Sequence, residues 1–371
     1  MEMKVLRPRI PAGRRVLAVS DIHGSLPLLK ALLERCCFTR DDVLIIVGDI
    51  LEKGERSLET LRYVMALSQT HTVYALSGNC DSMVLDFVQG GRGVSEAFLR
   101  WYLDHWGERC CLVQMGLEAG FRLERFEDVP RLREVIKARF APELAFLEGM
   151  GVVLEAGEYL FVHGGVPRED GLERLAPWKC MKCDDFLGRG YSFRKWVVVG
   201  HWPVSNYDAE IPCANPLVER ARHIISIDGG CSLKPDGQLN ALILPDITRG
   251  AFSWVSCDGL PAAVALEGQA PSPDPLYIRW ADNRVRVLER GAEFSRCRHE
   301  ASGRELDVLT GYLYEEEDGW HCENSTDYLL PVAPGDALGV VERTSRGALC
   351  KKDGVTGWYL GKMEQNQEKT P

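Results

Sequence analysis

The first two-thirds of the chain alternates short, wholly apolar runs with stretches of helical period. Val16-Leu17-Ala18-Val19, Val43-Leu44-Ile45-Ile46-Val47 and Thr72-Val73-Tyr74-Ala75-Leu76 have the length and β-branched character of strands buried on both faces. Between the first two, Leu29, Leu32, Leu33 and Cys36 recur at helical spacing, with Ser25 as candidate cap and Pro27 in the first turn. Leu58, Leu61, Val64 and Met65 repeat the pattern behind a second candidate cap, Ser57. Residues 94–150, rich in Leu, Arg, Glu and Trp, predict a mostly helical insertion with Trp101, Tyr102 and Trp106 in its core. Strand-like runs return at 159–162, 196–199, 224–227 and 239–244, with 252–255 as one more. Strands alternating with helices predict an α/β layered architecture.

The pattern then changes. Residues 263–275 are rich in proline and serine and predict a linker. Beyond them, short alternating runs at 276–280, 285–288, 339–342 and 355–360 are separated by turn signals, of which Lys352-Asp353-Gly354 is the sharpest. The expected organisation is a domain over 1–262, a linker over 263–275, a small all-β barrel over 276–361 and a polar tail over 362–371.

Charge and cysteine usage narrow the function. The 371 residues carry 44 Lys+Arg against 54 Asp+Glu, a formal net charge of −10, which argues against a nucleic-acid partner. No apolar run approaches the roughly 18–20 residues that span a bilayer, so no membrane partner is expected. The N-terminal residues lack the apolar stretch of a signal peptide. Thirteen cysteines without an export signal read as reduced thiols, which predicts a cytoplasmic protein, and Cys180 and Cys183 as two ordinary thiols.

The chemistry lies where the apolar runs end. Asp21-Ile22-His23-Gly24 follows the first run, Gly48-Asp49 the second and Gly78-Asn79-Cys80-Asp81 the third. His163-Gly164-Gly165 and Gly200-His201 follow two later ones. In an α/β sheet the carboxyl ends of parallel strands share one edge, so these distant residues are expected to converge. Carboxylate, imidazole and amide oxygen together suit two neighbouring divalent ions such as Mn²⁺, Fe²⁺ or Zn²⁺. Such a pair can hold a phosphoryl group and turn a bridging water into hydroxide near neutral pH. No Gly-x-Ser-x-Gly elbow and no Gly-Lys-Ser/Thr phosphate loop offers another nucleophile or phosphate cradle.

In the order Asp-x-His-Gly, Gly-Asp, Gly-Asn, His-Gly-Gly, Gly-His, residues 14–257 resemble the calcineurin-like metallophosphoesterases. Within them, the chain is closer to the PPP-type phosphoprotein phosphatases and their bacterial relatives, on the segment Gly48-Asp-Ile-Leu-Glu-Lys-Gly-Glu-Arg-Ser-Leu-Glu59. The resemblance implies a four-layer α/β/β/α sandwich with its site at the strand edge. It also implies Asp21, His23, Asp49 and His201 around one ion, and Asn79 and His163 with a shared Asp49 on the second. Three positions depart from the family. Lys53 stands where arginine is usual, Cys80 where the proton-donating histidine is usual, and Ser77 where another arginine is usual; Asp81, expected to orient position 80, is kept in kind. A thiol with an ordinary pKa near 8.5 is a poor neutral-pH acid, so substrates with acidic leaving groups should be favoured. Arg189, Arg194 and Lys195 are candidates for a second phosphate contact.

The expected activity is hydrolysis of phosphomonoesters by a metal-bridging hydroxide, with a phosphorylated protein or small phosphorylated molecule as substrate. Lys53, Cys80 and Asp81 are its expected catalytic residues. Hydrolysis of dinucleoside polyphosphates, or a weakly catalytic metal-stabilised interaction protein, are the alternatives. The carboxy-terminal unit weakly resembles a bacterial Src-homology-3-like barrel through Lys352-Asp-Gly-Val-Thr-Gly-Trp-Tyr-Leu360, which implies a peptide partner.

Overall fold

A computed structural model describes residues 2–90 and 95–365 and divides the chain into two compact units. The expected bounds at residues 1, 94 and 366–371 fall outside the described residues.

The first unit comprises residues 1–202, 216–233 and 237–257. One sheet orders its strands Ser253–Cys257, Leu239–Leu244, Val16–Val19, Val43–Val47, Thr72–Leu76, the last three parallel. The other runs Val5–Leu6, Val153–Ala156, Tyr159–Val162, Trp196–Val199, Ile224–Ser226, Leu217–Glu219, and Tyr159–Val162, Trp196–Val199 and Ile224–Ser226 are parallel. Side chains alternate across a strand, and the consecutive apolar residues divide accordingly. Val16, Ala18, Val43 and Ile45 share a core with Leu154, Phe161, Val198 and Ile225 of the second sheet. Leu17, Val19, Leu44 and Ile46 point the other way, against Leu29 and Leu32 of helix Leu26–Arg35 and Leu61 and Val64 of helix Ser57–Thr70. Runs with no polar residue are what a sheet covered on both faces requires.

The insertion is helical, with Glu96–Trp106, Cys111–Glu118, Val129–Arg139 and Ala141–Gly149. Its aromatic core differs from the expectation: Tyr102 is buried, but Trp101 is 54% exposed. Neighbours on a helix point about 100° apart, so adjacent aromatics cannot both face one core. Ser57 is also not the cap of its helix; Arg56 is, and the Ser57 hydroxyl accepts the Glu52 N–H at 2.9 Å.

The second unit comprises residues 203–215, 234–236 and 258–371. Its largest sheet orders Val355–Tyr359, Gly347–Lys352, Ala337–Thr344, Ala262–Ala265, Met363–Gln365. The expected linker therefore begins too early, since Ala262–Ala265 pairs with strands on both sides, and the expected tail contains the strand Met363–Gln365. Short alanine-rich and polar edge segments pair through their backbones without an apolar signature. Residues 203–215 and 234–236 were expected within 1–262. They are held instead by backbone bonds such as Ala214 N–H to Gly354 at 2.8 Å and Tyr277 N–H to Ala209 at 2.8 Å. The Asp353-Gly354 turn is as expected, with φ of 51° and 81° joining Lys352 to Val355. Smaller sheets complete the unit, including Val285–Glu289, Phe294–His299 and Glu305–Leu309.

Candidate metal centre

The loops that leave the parallel strands are laced to one another. Asp21 N–H donates to Gly48 at 3.1 Å, His23 N–H to Asp49 at 3.0 Å, and Gly200 N–H to His163 at 2.8 Å. Asp21, His23, Asp49 and His201 all have positive φ, between 47° and 68°. Non-glycine residues rarely adopt that conformation, and it persists where surrounding structure over-determines it, often at functional sites. Two glycines permit the approach: a Cβ at Gly48 would lie 2.6 Å from the His163 ring, and one at Gly78 would lie 2.0 Å from Asp49 Oδ1.

These loops bring the side chains together. Ligand-type atoms of Asp21, Asp49 and His163 lie within 4.8 Å of one another, as do those of His23, Asp49 and Cys80. Asp49 Oδ2 is 3.3 Å from His163 Nε2 and 3.8 Å from His23 Nε2. Asp49 thus belongs to both groups, as the resemblance implies for a shared ligand. His23 Nε2 also lies 3.7 Å from Asp21 Oδ1, and the Cys80 sulfur joins the group of His23 and Asp49. His201 adjoins through its N–H to Asp21 Oδ2 at 3.0 Å and a ring centroid 5.3 Å from that of His163. Asn79 Nδ2 donates to Cys80 Sγ at 3.4 Å.

Hydrogen bonds aim the donor atoms inward. His163 Nδ1 donates to the Val47 carbonyl at 2.8 Å and His23 Nδ1 to Leu51 at 3.1 Å, leaving each Nε2 as a potential lone pair. Asp21 Oδ1, His23 Nε2, Asn79 Oδ1 and His163 Nε2 are buried and have no hydrogen-bond partner among the described residues. Buried polar atoms are normally satisfied, so these four fit the ligand set of divalent cations. The electrostatics agree. Burial, with Asp49 nearby, lifts Asp21 to about 6. Burial opposes a charge on His163, but Asp49 and Asp21 outweigh it and raise the imidazole to about 10. Carboxylates that draw a proton onto His163 are equally a field for a divalent cation.

The remaining expected residues are placed less uniformly. Lys53 is close to the centre; burial disfavours its ammonium, but Cys80, Asp49, Asp21 and Asp228 more than compensate. The Cys80 thiol is buried, and burial reinforced by Asp49 holds it protonated. Asp81 does not orient Cys80: its Oδ1 accepts the Ile50 and Leu51 N–H groups and its Oδ2 that of Gly78, at 3.0–3.1 Å. It therefore ties the Asp49 loop to the helix Asn79–Gln89. Arg194 and Lys195 are taken by Glu169 and Glu155, and Arg189 donates to the Asp184 carbonyl at 3.1 Å.

Three residues were missed. Asp228 follows strand Ile224–Ser226 as Asp49 follows its own strand; its Oδ2 has no partner among the described residues, and burial and Asp21 raise it to about 7. The strand-end rule could have found it, but Asp228-Gly229-Gly230 also reads as a turn. Asp184 accepts from His201 Nε2 at 2.7 Å, which fixes the tautomer and orientation of that ring. Glu52 accepts the Tyr102 hydroxyl and the Cys111 N–H, each at 2.9 Å, clamping the insertion to the Asp49 loop.

The family pattern of the calcineurin-like phosphoesterases matches residues 14–226. The chain is 30% identical over 138 residues to a symmetrical bis(5′-nucleosyl)-tetraphosphatase of Dechloromonas aromatica, covering 32% of this chain and 49% of that one. It is 42% identical over 79 residues to the protein of that name in Aliivibrio fischeri, covering 21% and 28%. The chain thus spans about half the length of the first of these curated relatives and less than a third of the second. Among solved structures, a protein serine/threonine phosphatase from Saccharomyces cerevisiae overlays with a TM-score of 0.42 at 12% identity, covering 68% of this chain and 82% of that one. With more than half of its residues inside the matched pattern, the chain belongs to the calcineurin-like phosphoesterase family.

Proposed function

We propose that this protein is a divalent-metal-dependent phosphoesterase whose cations are held by Asp21, His23, Asp49, Asn79, His163 and His201. The reading is carried by the four buried, unpartnered ligand-type atoms of Asp21, His23, Asn79 and His163 around Asp49. Bound there, the cations would polarise phosphoryl oxygens and acidify the attacking water. The chain's own residues account for the rest. Val47 and Leu51 fix which nitrogen of each histidine faces inward. Lys53 meets the phosphate as a point charge, with less orientation than a guanidinium fork would impose. The protonated Cys80 thiol is a weak acid for the departing oxygen.

The block from Gly48 to Glu59 supports a PPP-like branch, with phosphoproteins as the first substrate class. A phosphoanhydride is the second reading. It is favoured by the thiol at position 80, since a leaving phosphate needs no strong proton donor, and by the names of the curated relatives. Thirteen free cysteines support a reducing, cytoplasmic setting. The short antiparallel sheets of the second unit support the Src-homology-3-like reading with a peptide partner.

Metal analysis and p-nitrophenyl phosphate hydrolysis with Mn²⁺, Fe²⁺ or Zn²⁺ test the core of this. Asp49→Asn is expected to lower kcat by at least about 100-fold. Hydrolysis that survives both a chelator and that substitution would sink the reading.

A further inference from the structure

A cavity of about 300 Å³ opens beside Lys53, and its lining carries three cations, Lys53, Arg56 and Arg109, against one acid, Glu55. Two helices begin at its wall: Leu26–Arg35, with Ser25 at the N-cap position, and Ser57–Thr70, with Arg56 there, and neither side chain makes a capping bond. Their positive ends add to the same field. The guanidinium groups of Arg56 and Arg109 have no hydrogen bond or ion pair to any described residue. Most other arginines of this unit that border a loop are consumed, as Arg15 is by Asp42 and Arg194 by Glu169.

Arg109 is held in place by its surroundings. It ends the short turn Gly107–Arg109, which lies between Tyr102 and Cys111, and both of these are hydrogen-bonded to Glu52. Glu52 precedes Lys53, so one clamp positions the arginine of the insertion and the lysine of the metal loop. A phosphate monoester places a single dianion at the cations and Lys53. Two further guanidinium groups then have nothing to bind.

We propose that Arg56 and Arg109 form a second phosphate subsite continuous with Lys53, so that the preferred substrate carries another phosphate beyond the reacting one, as an oligophosphate chain does. The inference rests on the phosphoesterase reading above. In such a hydrolysis the water hydroxyl joins the reacting phosphorus and the bridging P–O bond breaks. The departing phosphate keeps that bond's electron pair, and the water's remaining proton passes to solvent or product. Arg56 and Arg109 bind the departing phosphate and offset its charge, which is why a neutral thiol at position 80 is sufficient. An acidic phosphopeptide is the competing class.

The test compares wild type with Arg56→Gln and Arg109→Gln on inorganic tripolyphosphate, p-nitrophenyl phosphate and an acidic phosphopeptide. Tripolyphosphate binding is measured separately by calorimetry. Both side chains are exposed, and Arg109→Lys serves as the conservative control. Each Gln variant is expected to lose at least about tenfold more kcat/KM on tripolyphosphate than on p-nitrophenyl phosphate, and to bind tripolyphosphate about tenfold more weakly, with Arg109→Lys in between. Equal losses on the two substrates, unchanged tripolyphosphate binding, or an arginine dependence confined to the phosphopeptide would overturn it. If no substrate is cleaved with any metal yet tripolyphosphate binding still needs both arginines, the hydrolase reading fails and the subsite stands. If p-nitrophenyl phosphate is cleaved and the variants bind tripolyphosphate like wild type, the hydrolase reading stands and the subsite falls.

Discussion

On the phosphoesterase reading proposed above, the thiol of Cys80 stands where a proton donor to the leaving group is expected. Its burial and the neighbouring Asp49 push its pKa up, away from the range in which general acids work well at pH 7. The rate should therefore depend on how readily the leaving group departs unaided. In a series of phosphomonoesters of graded leaving-group pKa, the rate is expected to fall steeply as that pKa rises. Replacing Cys80 by His should flatten the series by raising activity on alkyl phosphates. The reason is local: Lys53 and Glu52 border the same space, so an imidazole there would meet both a carboxylate and a cation able to tune it. A flat profile for wild type, with chemistry rate-limiting, removes the argument, as does a Cys80→His variant without gain on alkyl substrates.

Among the elements, the edge of the parallel strands was the most legible feature. Each of the loops carrying Asp21, Asp49, Asn79, His163 and His201 leaves the end of a strand that could be read as an unbroken apolar run. What could not be read has physical reasons. Glu52 looks like a solvent-facing residue of a charged loop, and only the folded insertion, through Tyr102 and Cys111, turns it into a buried clamp. Asp81 sits one residue from Cys80 in sequence, yet its carboxylate turns to backbone amides of the Asp49 loop. The second unit takes in residues 203–215 and 234–236 because backbone pairing joins segments more than a hundred residues apart, which no local pattern records. The start of the first sheet shows how one element end is held. Arg15, just before Val16–Val19, makes two 2.7 Å bonds to Asp42, just before Val43–Val47, and Asp42 also accepts the Thr39 N–H at 2.8 Å. The Arg15 guanidinium, aided by Thr39, holds the Asp42 carboxyl below its ordinary 3.8, so the folded state binds its proton less readily than the unfolded one. That contribution is present above the unfolded value and is lost as pH falls through the lower, folded one. Since Arg15 is partly exposed, solvent screens the pair, and Asp42→Asn is expected to cost about 1 kcal/mol at pH 7. In denaturant titrations the gap between wild type and variant should close on acidification below 3.8; a gap that is independent of pH would show that the pair contributes through packing alone.

For the molecule as a whole, the concentration of buried acid is the largest electrostatic fact. Asp21, Asp49, Glu52, Asp81 and Asp228 are each no more than 1% exposed, and the counter-charge beside them comes from Lys53 and, when protonated, His163. Burial lifts Asp81 and Asp228 to about 7, so without cations the folded chain must either hold extra protons or tolerate repulsion. Both routes cost stability that the unfolded chain does not lose. Divalent cations that bind the folded form alone should therefore stabilise it by mass action, by about 2.7 kcal/mol at a hundredfold excess over Kd. For a unit of this size that corresponds to a rise in Tm of roughly 5–10 °C. The metal-free protein is expected to melt correspondingly lower, and adding Mn²⁺ or Zn²⁺ should restore the difference. Asp49 is common to both groups of ligand-type atoms, so Asp49→Asn should abolish most of the metal-induced shift; it should also weaken the metal-free state, where burial opposes the Asp49 charge but His163, His23 and Lys53 hold its carboxyl well below the ordinary range. The variant should consequently melt below metal-free wild type and further below the metal-loaded protein. An unchanged Tm on chelation, or a full metal-induced shift in Asp49→Asn, would mean that the buried carboxyls are balanced by protons and that no cation is held there.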